Sequence, residues 1–437
     1  MKALTAYLIW ILSFFAPAYQ ALTAPFEPEA LRAPAGEYGY PIQDPYFATI
    51  TAAVLKNDEK DKAVSYVDAS VKMFPARDDV PYYGAGQNKV KVRYWSAGAE
   101  AKPLVVMVAG LGGHAGNAYY NYLAYHLVKR GFHVLSVPNP FHFSFALSAS
   151  TSGYPGVTRA DAADLYALIQ KSIDKLQKKG GLRYTRVGLL GVSLGALEGA
   201  FLSELDSREQ KLNFKRTLLI NPPVDPLFGI QALDTLAKQK SLVSESRQKE
   251  IQRQVIQFGL STLILGKIDA PGYFAHIESS LATTVPERQY LIGSSLQEFL
   301  PALLFTTQQT EDLGIFKTDQ ATADPEPRLK EAAAFGFTDY VEKFLLGSLS
   351  KRAGHAVTYD EILKDSSLSG VEAYLRSDSK VLLMHNADDF IVNGDQLRYL
   401  QDIFGARMKL YPRGGHLGNI WFPENREAIL DAFSPLK

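Results

Sequence analysis

A serine between two glycines lies in the pentapeptide Gly-Val-Ser-Leu-Gly at residues 191–195. The apolar run before it, residues 187–190, predicts a short buried strand, and small residues recur at helical spacing after it. A serine on a sharp turn between strand and helix has a strained backbone that exposes its hydroxyl. Residues two before and two after such a serine pass so close that a side chain would clash, hence Gly191 and Gly195. We therefore predict that Ser193 is a catalytic nucleophile.

A serine hydroxyl is a weak nucleophile until a base removes its proton, and that base needs a carboxylate to orient it. His416 follows two glycines in the loop after the last predicted strand. Two adjacent acids, Asp388 and Asp389, follow the strand before it, and Asp225 is a more distant candidate. Serine, acid, histidine is a known chain order for a catalytic triad. We predict a triad of Ser193, His416 and one of these acids.

The glycine-rich loop at residues 110–113 predicts a second part of such a site. Acyl transfer needs two backbone N–H groups that stabilise the developing oxyanion, and we expect those of Leu111 and Leu194 to do so. The loop also fits a dinucleotide-binding pattern, which requires an acidic residue at the end of the next strand. Residues 135–139, Leu-Ser-Val-Pro-Asn, contain none. We therefore favour an oxyanion hole and predict no cofactor.

Strands and helices must bring these residues to one edge of a sheet. Buried-strand patterns alternate with helical patterns, which is typical of a doubly wound, mostly parallel α/β sheet. This alternation stops after residue 225, and helical patterns predominate to residue 375, which predicts a large helical cap insertion. The strands are predicted at residues 89–95, 103–109, 132–137, 187–190, 216–220, 380–385 and 407–411.

Three motifs together, at residues 191–195, 388–389 and 414–416, resemble the α/β-hydrolase superfamily. The loop at residues 110–113 and the Gly-Gly-His-Leu-Gly ending are similar to the branch that includes YheT-like esterases. The resemblance implies the α/β-hydrolase fold and a serine hydrolase. It covers roughly residues 90–225 and 378–437, and neither the insertion nor the N-terminal part.

The resemblance also bears on the two adjacent acids. In the family the acid is followed by one residue and then two aliphatic residues, which implies Asp389 as the triad acid and Asp388 as the alternative. The family often has His-Gly where this chain has Ala109-Gly110. Backbone donors tolerate that change, but another group must then brace the loop.

The composition limits the partners of this 437-residue chain. Lys and Arg total 46, as do Asp and Glu, so the bulk charge gives no indication of nucleic-acid binding. There is no cysteine, and the eight histidines lack the spacing of metal ligands, so we predict no metal site. We expect a small-molecule acyl substrate as the partner.

The first 18 residues have the pattern of a secretory signal: Lys2, an apolar stretch and then small residues. We predict cleavage after Ala18, a periplasmic or secreted protein, and no stable membrane insertion after cleavage. An uncleaved membrane anchor is the alternative, although the apolar stretch is shorter than the roughly 20 residues that span a bilayer. The predicted segments are a signal peptide (1–18), an N-terminal extension (19–88) with helices at 47–56 and 62–74, the core (89–225 and 376–437) and the cap insertion (226–375).

These features predict a secreted or periplasmic serine hydrolase that cleaves a carboxylic ester through an acyl-enzyme intermediate. A thioesterase or peptidase of the same fold is one alternative, because the fold does not determine the substrate. A non-catalytic binding protein that uses the cap as its interaction surface is the other. The loop at residues 138–158 contains His142 and Phe143, which either line the substrate pocket or belong to a plain surface loop.

Overall fold

A computed structural model describes residues 38–53, 64–74, 88–265, 283–320 and 324–437 of the chain. The predicted signal peptide, residues 1–18, lies outside these described residues. No helix in the described ranges has the length and the apolar composition needed to cross a membrane.

Eight strands form one sheet in the order β1-β2-β4-β3-β5-β6-β7-β8. The pairs β1·β2 and β2·β4 are antiparallel, and every other neighbouring pair is parallel. The predicted doubly wound, mostly parallel sheet of an α/β-hydrolase fold is therefore confirmed. The strands are β1 (Tyr66–Val71), β2 (Val90–Trp95), β3 (Lys102–Val108), β4 (His133–Val137), β5 (Tyr184–Val192), β6 (Phe214–Ile220), β7 (Val381–Asn386) and β8 (Met408–Tyr411).

Both faces of the sheet are covered, as the continuous apolar run of β3 and the full burial of β4 require. Alternate side chains of β3 point to opposite faces: Leu104 and Val106 belong to one buried cluster, and Val105 and Met107 to the other. Helices α4 (Thr158–Lys178), α5 (Leu194–Glu209) and α15 (Gly394–Phe404) cover the first face. Helices α1 (Pro45–Ala52), α2 (Ala118–Lys129) and α16 (Pro423–Ala432) cover the second.

Strand β1 corrects one sequence expectation. Residues 62–74 were expected to be helical, yet Tyr66–Val71 pairs antiparallel with β2. Within β1, Val67, Ala69 and Val71 alternate with Asp68 and Ser70, which is the period of a strand, but the alternation is short and Val67 is exposed. The edge of the sheet decides its conformation, because strand propensity depends strongly on pairing partners.

Between β6 and β7 the described residues form helices joined by loops and no strand, and we call residues 226–377 the insertion. A third apolar cluster joins it to the carboxyl edge of the sheet and includes Leu233, Leu300 and Phe344. The insertion contains a π-helical turn, Tyr340–Leu345. Such turns are frequent at functional sites. Its helices are α6 (Pro226–Lys238), α7 (Glu245–Leu265), α8 (Val285–Gln297), α9 (Leu300–Thr310), α10 (Glu326–Ala332), α11 (Phe337–Asp339), α12 (Leu346–Ala353), α13 (Tyr359–Ser366) and α14 (Glu372–Ser377); the short α3 (Phe143–Ser148) precedes α4.

Candidate active site

Ser193 lies on the turn between β5 and α5, with φ 55° and ψ −126°. This conformation is costly for a residue with a side chain and is maintained by the packing around it. A Cβ atom on Gly191 would lie 2.3 Å from the carbonyl oxygen of Gly195, and one on Gly195 would lie 2.3 Å from that of Ala109. Both positions therefore require glycine, and the turn presents the serine hydroxyl at the end of the strand.

His416 connects the serine to an acid. Its Nε2 lies 2.8 Å from Ser193 Oγ, and its Nδ1 lies 2.9 Å from Asp389 Oδ2. An ionised carboxylate only accepts hydrogen bonds, so Nδ1 carries the proton and Nε2 is the acceptor for the serine hydroxyl. The arrangement can therefore transfer a proton from Ser193 to His416.

Asp389 is buried, and both of its carboxylate oxygens accept hydrogen bonds. Its Oδ2 accepts a hydrogen bond from the Asn221 amide at 2.6 Å, and its Oδ1 accepts one from the Ile391 N–H at 3.1 Å. Burial by itself would raise the pKa of Asp389, but the attraction of His416, with smaller contributions from His385 and Asn221, holds it below its usual value. Asp389 is thus ionised over the range in which His416 works as a base.

The neighbouring Asp388 has another role. Its two carboxylate oxygens accept the backbone N–H groups of Gly414 and Gly415, at 3.1 and 2.8 Å. Burial raises the pKa of Asp388 to about 7. This side chain holds the loop that carries His416, whereas Asp389 contacts the imidazole itself. Asp225 lies elsewhere: it caps α6 by accepting the Leu227 N–H at 2.9 Å.

Helix α1 supplies a contact that the sequence did not reveal. Thr49 Oγ1 accepts the backbone N–H of His416 at 2.9 Å and donates to the Pro45 carbonyl at 2.7 Å. Gly415 has φ +55°, and a Cβ there would lie 2.0 Å from the Pro45 oxygen. The histidine loop is therefore seated on the N-terminal segment. A threonine in a short helix has no pattern that signals this role.

The proposed oxyanion donors face the same space as the serine. Leu194 is the first residue of α5, where backbone N–H groups have no carbonyl partner within the helix. Leu111 lies in the loop after β3, and both residues line the cavity over Ser193. The loop is held by the Gly110 N–H, which donates to the Tyr120 hydroxyl at 2.6 Å.

Asn139 braces the loop after β3 at Ala109. Its amide donates to the Ala109 carbonyl at 2.9 Å and to the buried Glu198 carboxylate at 3.1 Å. Its side-chain oxygen accepts the Phe141 N–H at 3.0 Å. A buried side chain thus holds the backbone at Ala109.

A cavity of about 380 Å³ opens over Ser193 and His416. Side chains of the core and of α6, α8 and the π-helical turn line it, and the described lining contains no Asp, Glu, Lys or Arg. The lining includes Leu111, Asn117, Tyr119, Tyr120, Ser193, Leu194, Leu233, Ser295, Tyr340, Tyr359 and His416.

The structure does not include His142 and Phe143 among the residues that line this cavity; the neighbouring Phe141 does line it. His142 instead begins α3, where its Nδ1 accepts the Ser144 N–H at 3.3 Å. Burial lowers the pKa of His142 to about 4, so the ring is neutral and suited to this capping role. Across the described ranges no cluster of three or more His, Asp or Glu residues could hold a metal ion.

Chains similar to this one are found among solved structures. No family model and no curated protein sequence matches the chain. Among solved structures it is similar to an esterase of Pyrococcus furiosus, at 14% identity and a TM-score of 0.41, over 87% of this chain and 97% of the other. It is also similar to esterase B of Lactobacillus rhamnosis, solved with a tributyrin phosphonate inhibitor, at 12% identity and a TM-score of 0.40, over 89% and 90% of the two chains.

A third similar structure is the acylaminoacyl peptidase of Pyrococcus horikoshii, at 11% identity and a TM-score of 0.41. The match covers 86% of this chain but only 42% of the peptidase. The fold of this chain is assigned from its own strand order and crossovers. The similarity to YheT-like esterases stays a prediction.

Proposed function

We propose that the protein is a serine hydrolase that cleaves uncharged, largely apolar carboxylic esters through an acyl-enzyme intermediate. The continuous hydrogen-bonded chain from Asp389 through His416 to Ser193, with distances of 2.9 and 2.8 Å, carries this proposal. Such a chain activates a serine hydroxyl and orients the base.

In acylation, Ser193 Oγ attacks the ester carbonyl carbon while His416 Nε2 takes the hydroxyl proton. The carbonyl oxygen becomes an oxyanion, which the Leu111 and Leu194 N–H groups stabilise. The intermediate then collapses: the bond to the alcohol oxygen breaks, and His416 returns the proton to the leaving alcohol. Asp389 stabilises the imidazolium throughout and keeps its orientation.

In deacylation, water takes the place of the alcohol. His416 removes a proton from the water as it attacks the acyl carbon of the ester on Ser193. The second tetrahedral intermediate releases the carboxylic acid, and His416 returns the proton to Ser193.

The cavity supports esters without charge as the substrate class. Its lining is apolar, and an ion without a partner pays a large desolvation cost in such an environment. A volume of about 380 Å³ is at the lower end of the range for ligand pockets. Thioesters without charge would fit the same apolar cavity. The rates of hydrolysis of an oxygen ester and a thioester with the same acyl group separate the two substrate classes.

Two observations favour catalysis over a binding role for this fold. A non-catalytic protein has no need to keep His416 within 2.8 Å of a strained serine. An insertion that served only as an interaction surface could also fill the space above Ser193, whereas a cavity of about 380 Å³ is present.

The test is labelling with a fluorophosphonate probe followed by mass spectrometry. We expect modification at Ser193, loss of labelling in Ser193→Ala, and retained labelling in Ser295→Ala, a second serine of the cavity lining. A folded protein that is not labelled at Ser193 would refute the proposal. Turnover of p-nitrophenyl esters of increasing acyl length then defines the preferred chain.

We further propose that the chain is exported and that residues 1–18 are removed. N-terminal sequencing of the mature protein from its cell envelope or medium tests this. A mature chain that begins at residue 19 supports export with cleavage, and an intact N-terminus in the membrane fraction supports the anchor instead.

A further inference from the structure

Asn139 holds both ends of the loop that carries Leu111, residues 109–113, which we call the oxyanion loop. The Asn139 carboxamide nitrogen donates to the Ala109 carbonyl at 2.9 Å, and the Asn139 backbone N–H donates to the Gly113 carbonyl at 2.9 Å. Asn139 is completely buried, so no solvent competes for these hydrogen bonds. Because the carbonyls at both ends of the loop are fixed by one residue, Asn139 limits where the Leu111 N–H can point.

The Asn139 carboxamide has one orientation that satisfies its partners. Its nitrogen lies 3.3 and 3.1 Å from the two carboxyl oxygens of Glu198, and its oxygen accepts the Phe141 N–H at 3.0 Å. The flipped orientation would set the carboxamide oxygen against the Ala109 carbonyl and the carboxamide nitrogen against the Phe141 N–H, where neither pair can form a hydrogen bond. Glu198 therefore helps to determine which way the Asn139 amide faces.

Glu198 belongs to the helix that begins with the other proposed oxyanion donor. Helix α5 starts at Leu194, and Glu198 follows four residues later, so the two lie on one side of the helix, one turn apart. The start of α5 also packs closely on the loop, because a Cβ on Gly195 would lie 2.3 Å from the Ala109 oxygen. The path from Glu198 through Asn139 thus joins the helix that supplies one donor to the loop that supplies the other.

The environment of Glu198 favours an uncharged side chain. Glu198 is buried, and in the part of the chain that the structure describes both of its carboxyl oxygens have the Asn139 amide as their hydrogen-bond partner. Burial, with the nearby Asp161 as a smaller cause, raises the pKa of Glu198 well above its usual value. Toward Asn139 the side chain therefore acts as a hydrogen-bond acceptor and not as an ion, and a glutamine of the same shape offers the same acceptor.

We propose that Asn139 and Glu198 are positioning residues that act as one unit, a clamp that fixes the spacing and direction of the two proposed oxyanion donors. This inference rests on the proposed function. Donors stabilise the transition state only when they lie within hydrogen-bond distance of the place where the oxyanion develops, so a small shift of the loop is costly. Neither residue lines the cavity over Ser193, and their effect reaches the reaction through the loop.

Two single variants and their double variant test whether the pair acts as a unit. Asn139→Ala and Glu198→Leu should each lower kcat for p-nitrophenyl hexanoate roughly tenfold, less than the roughly 10²–10³ that is lost when an oxyanion donor itself is removed. KM should change little, because the donors act mainly in the transition state. The double variant should lose about as much as Asn139→Ala alone. Losses that multiply in the double variant would show that the two residues act separately and would overturn the clamp.

A transition-state analogue identifies the oxyanion hole as the part affected. When hexyl trifluoromethyl ketone binds, Ser193 Oγ forms a bond to the ketone carbon, His416 takes the hydroxyl proton, and the ketone oxygen becomes an oxyanion. The inhibition constant should rise in the variants by about the factor by which kcat falls. The pH midpoint of kcat/KM, which reports His416, should stay in place. A lower kcat with an unchanged inhibition constant would refute the proposal.

Two further variants separate positioning from general destabilisation. Glu198→Gln keeps the shape and an acceptor oxygen, so it should recover most of the activity lost in Glu198→Leu. Asp206→Asn is the matched control, because Asp206 is a second buried acid of α5 and accepts the Leu212 and Phe214 N–H groups, at 3.0 and 2.6 Å, in the turn before β6. It should lower the free energy of unfolding in urea but leave kcat and the inhibition constant unchanged. Equal losses of kcat in Asp206→Asn and Glu198→Leu would contradict a specific role.

Hydrogen exchange separates this inference from the proposed function. Peptides that span the oxyanion loop should exchange their backbone hydrogens faster in Asn139→Ala than in wild type and in Asp206→Asn, whether or not an ester is hydrolysed. Unchanged exchange and unchanged kcat in variants of an active wild type would reject the clamp and leave the hydrolase in place. A wild type without Ser193 labelling or turnover would refute the hydrolase and, with it, the catalytic purpose of the clamp.

Discussion

The two walls of the cavity differ in how they are built. On the core side, each polar group of the reaction centre has a defined partner, as for Asp389 with Asn221 and His416 with Thr49. On the insertion side, the lining is almost entirely apolar and comes from packed helices such as α6 and α8. Hydrogen bonds have directions and apolar contacts do not. The core wall therefore determines where the reacting atoms lie, and the insertion determines what fits beside them.

The largest effect is expected on the core wall, at Asp389. Asp389→Asn should lower kcat by roughly 10⁴ for every ester, because the amide no longer fixes the imidazole in the tautomer that accepts the serine proton. Steady-state kinetics on a short and a long acyl ester measure this. An unequal loss between the two esters would contradict the view that the core wall acts on rate and not on substrate choice.

The adjacent Asp388 should make the free energy of unfolding depend on pH. Its folded-state pKa of about 7 lies above the ordinary value for aspartate, so the folded protein holds a proton there that the unfolded chain releases. Its contribution to stability is therefore present at low pH and is lost as pH rises through about 7. Asp389, with a lowered pKa, contributes in the opposite sense.

We therefore expect Asp388→Asn to be less stable than wild type near pH 4 and to lose much of this deficit by pH 8. Urea unfolding of both proteins across that range gives the two free energies of unfolding. Parallel pH profiles would show that Asp388 does not hold a proton preferentially in the folded state.

On the insertion side, helix packing at Gly293 should be sensitive. A Cβ there would lie 2.2 Å from the Ala237 backbone nitrogen, where α8 crosses α6. Gly293→Ala should cost about 1–3 kcal/mol of the free energy of unfolding through overpacking. Gly347→Ala is the control: the glycine is also helical, and its Cβ would lie 3.6 Å from Leu313, which is ordinary contact. That control should be neutral or slightly stabilising. Equal losses in both variants would contradict the tight contact of α6 and α8.

The smallest effect is expected at Thr49. Thr49→Val removes the acceptor of the His416 N–H and should lower kcat about five- to tenfold, the scale of one net hydrogen bond. Thr51→Val is matched to it, because Thr51 is buried in the same helix and donates to the Ala48 carbonyl at 2.6 Å without touching His416. The control should lose stability but keep kcat. If both variants lose kcat alike, the hydrogen bond between Thr49 and the His416 N–H has no specific effect on catalysis, and α1 acts only through its packing.

Much of the fold could be predicted from the sequence because its signals are local. The buried strand β3 is a continuous apolar run, and β5 is followed at once by the glycine-flanked Ser193. The loops that carry Asp389 and His416 follow directly from β7 and β8. Strand β1 was predicted wrongly, because its alternation is short and its conformation is decided by pairing with β2.

The rest of the site depends on contacts between distant parts of the chain. Thr49 meets His416 across 367 residues, and no periodicity in either segment indicates that contact. The capping roles of Asp225 and His142 likewise depend on the direction of each side chain, which the helix start alone does not determine.

The seating of the His416 loop on α1 has a consequence for folding order. Contacts between residues far apart in sequence form late, because closing the intervening loop costs chain entropy. His416 would therefore reach its position beside Ser193 only after its loop had docked on α1. A chain that is still being synthesised would then stay inactive until residue 418 had been made, even if its sheet had already folded. The Gly418 carbonyl also takes part in this docking, because it accepts a hydrogen bond from the Tyr40 hydroxyl. Recovery of esterase activity during refolding should accordingly lag behind recovery of helix and sheet signals.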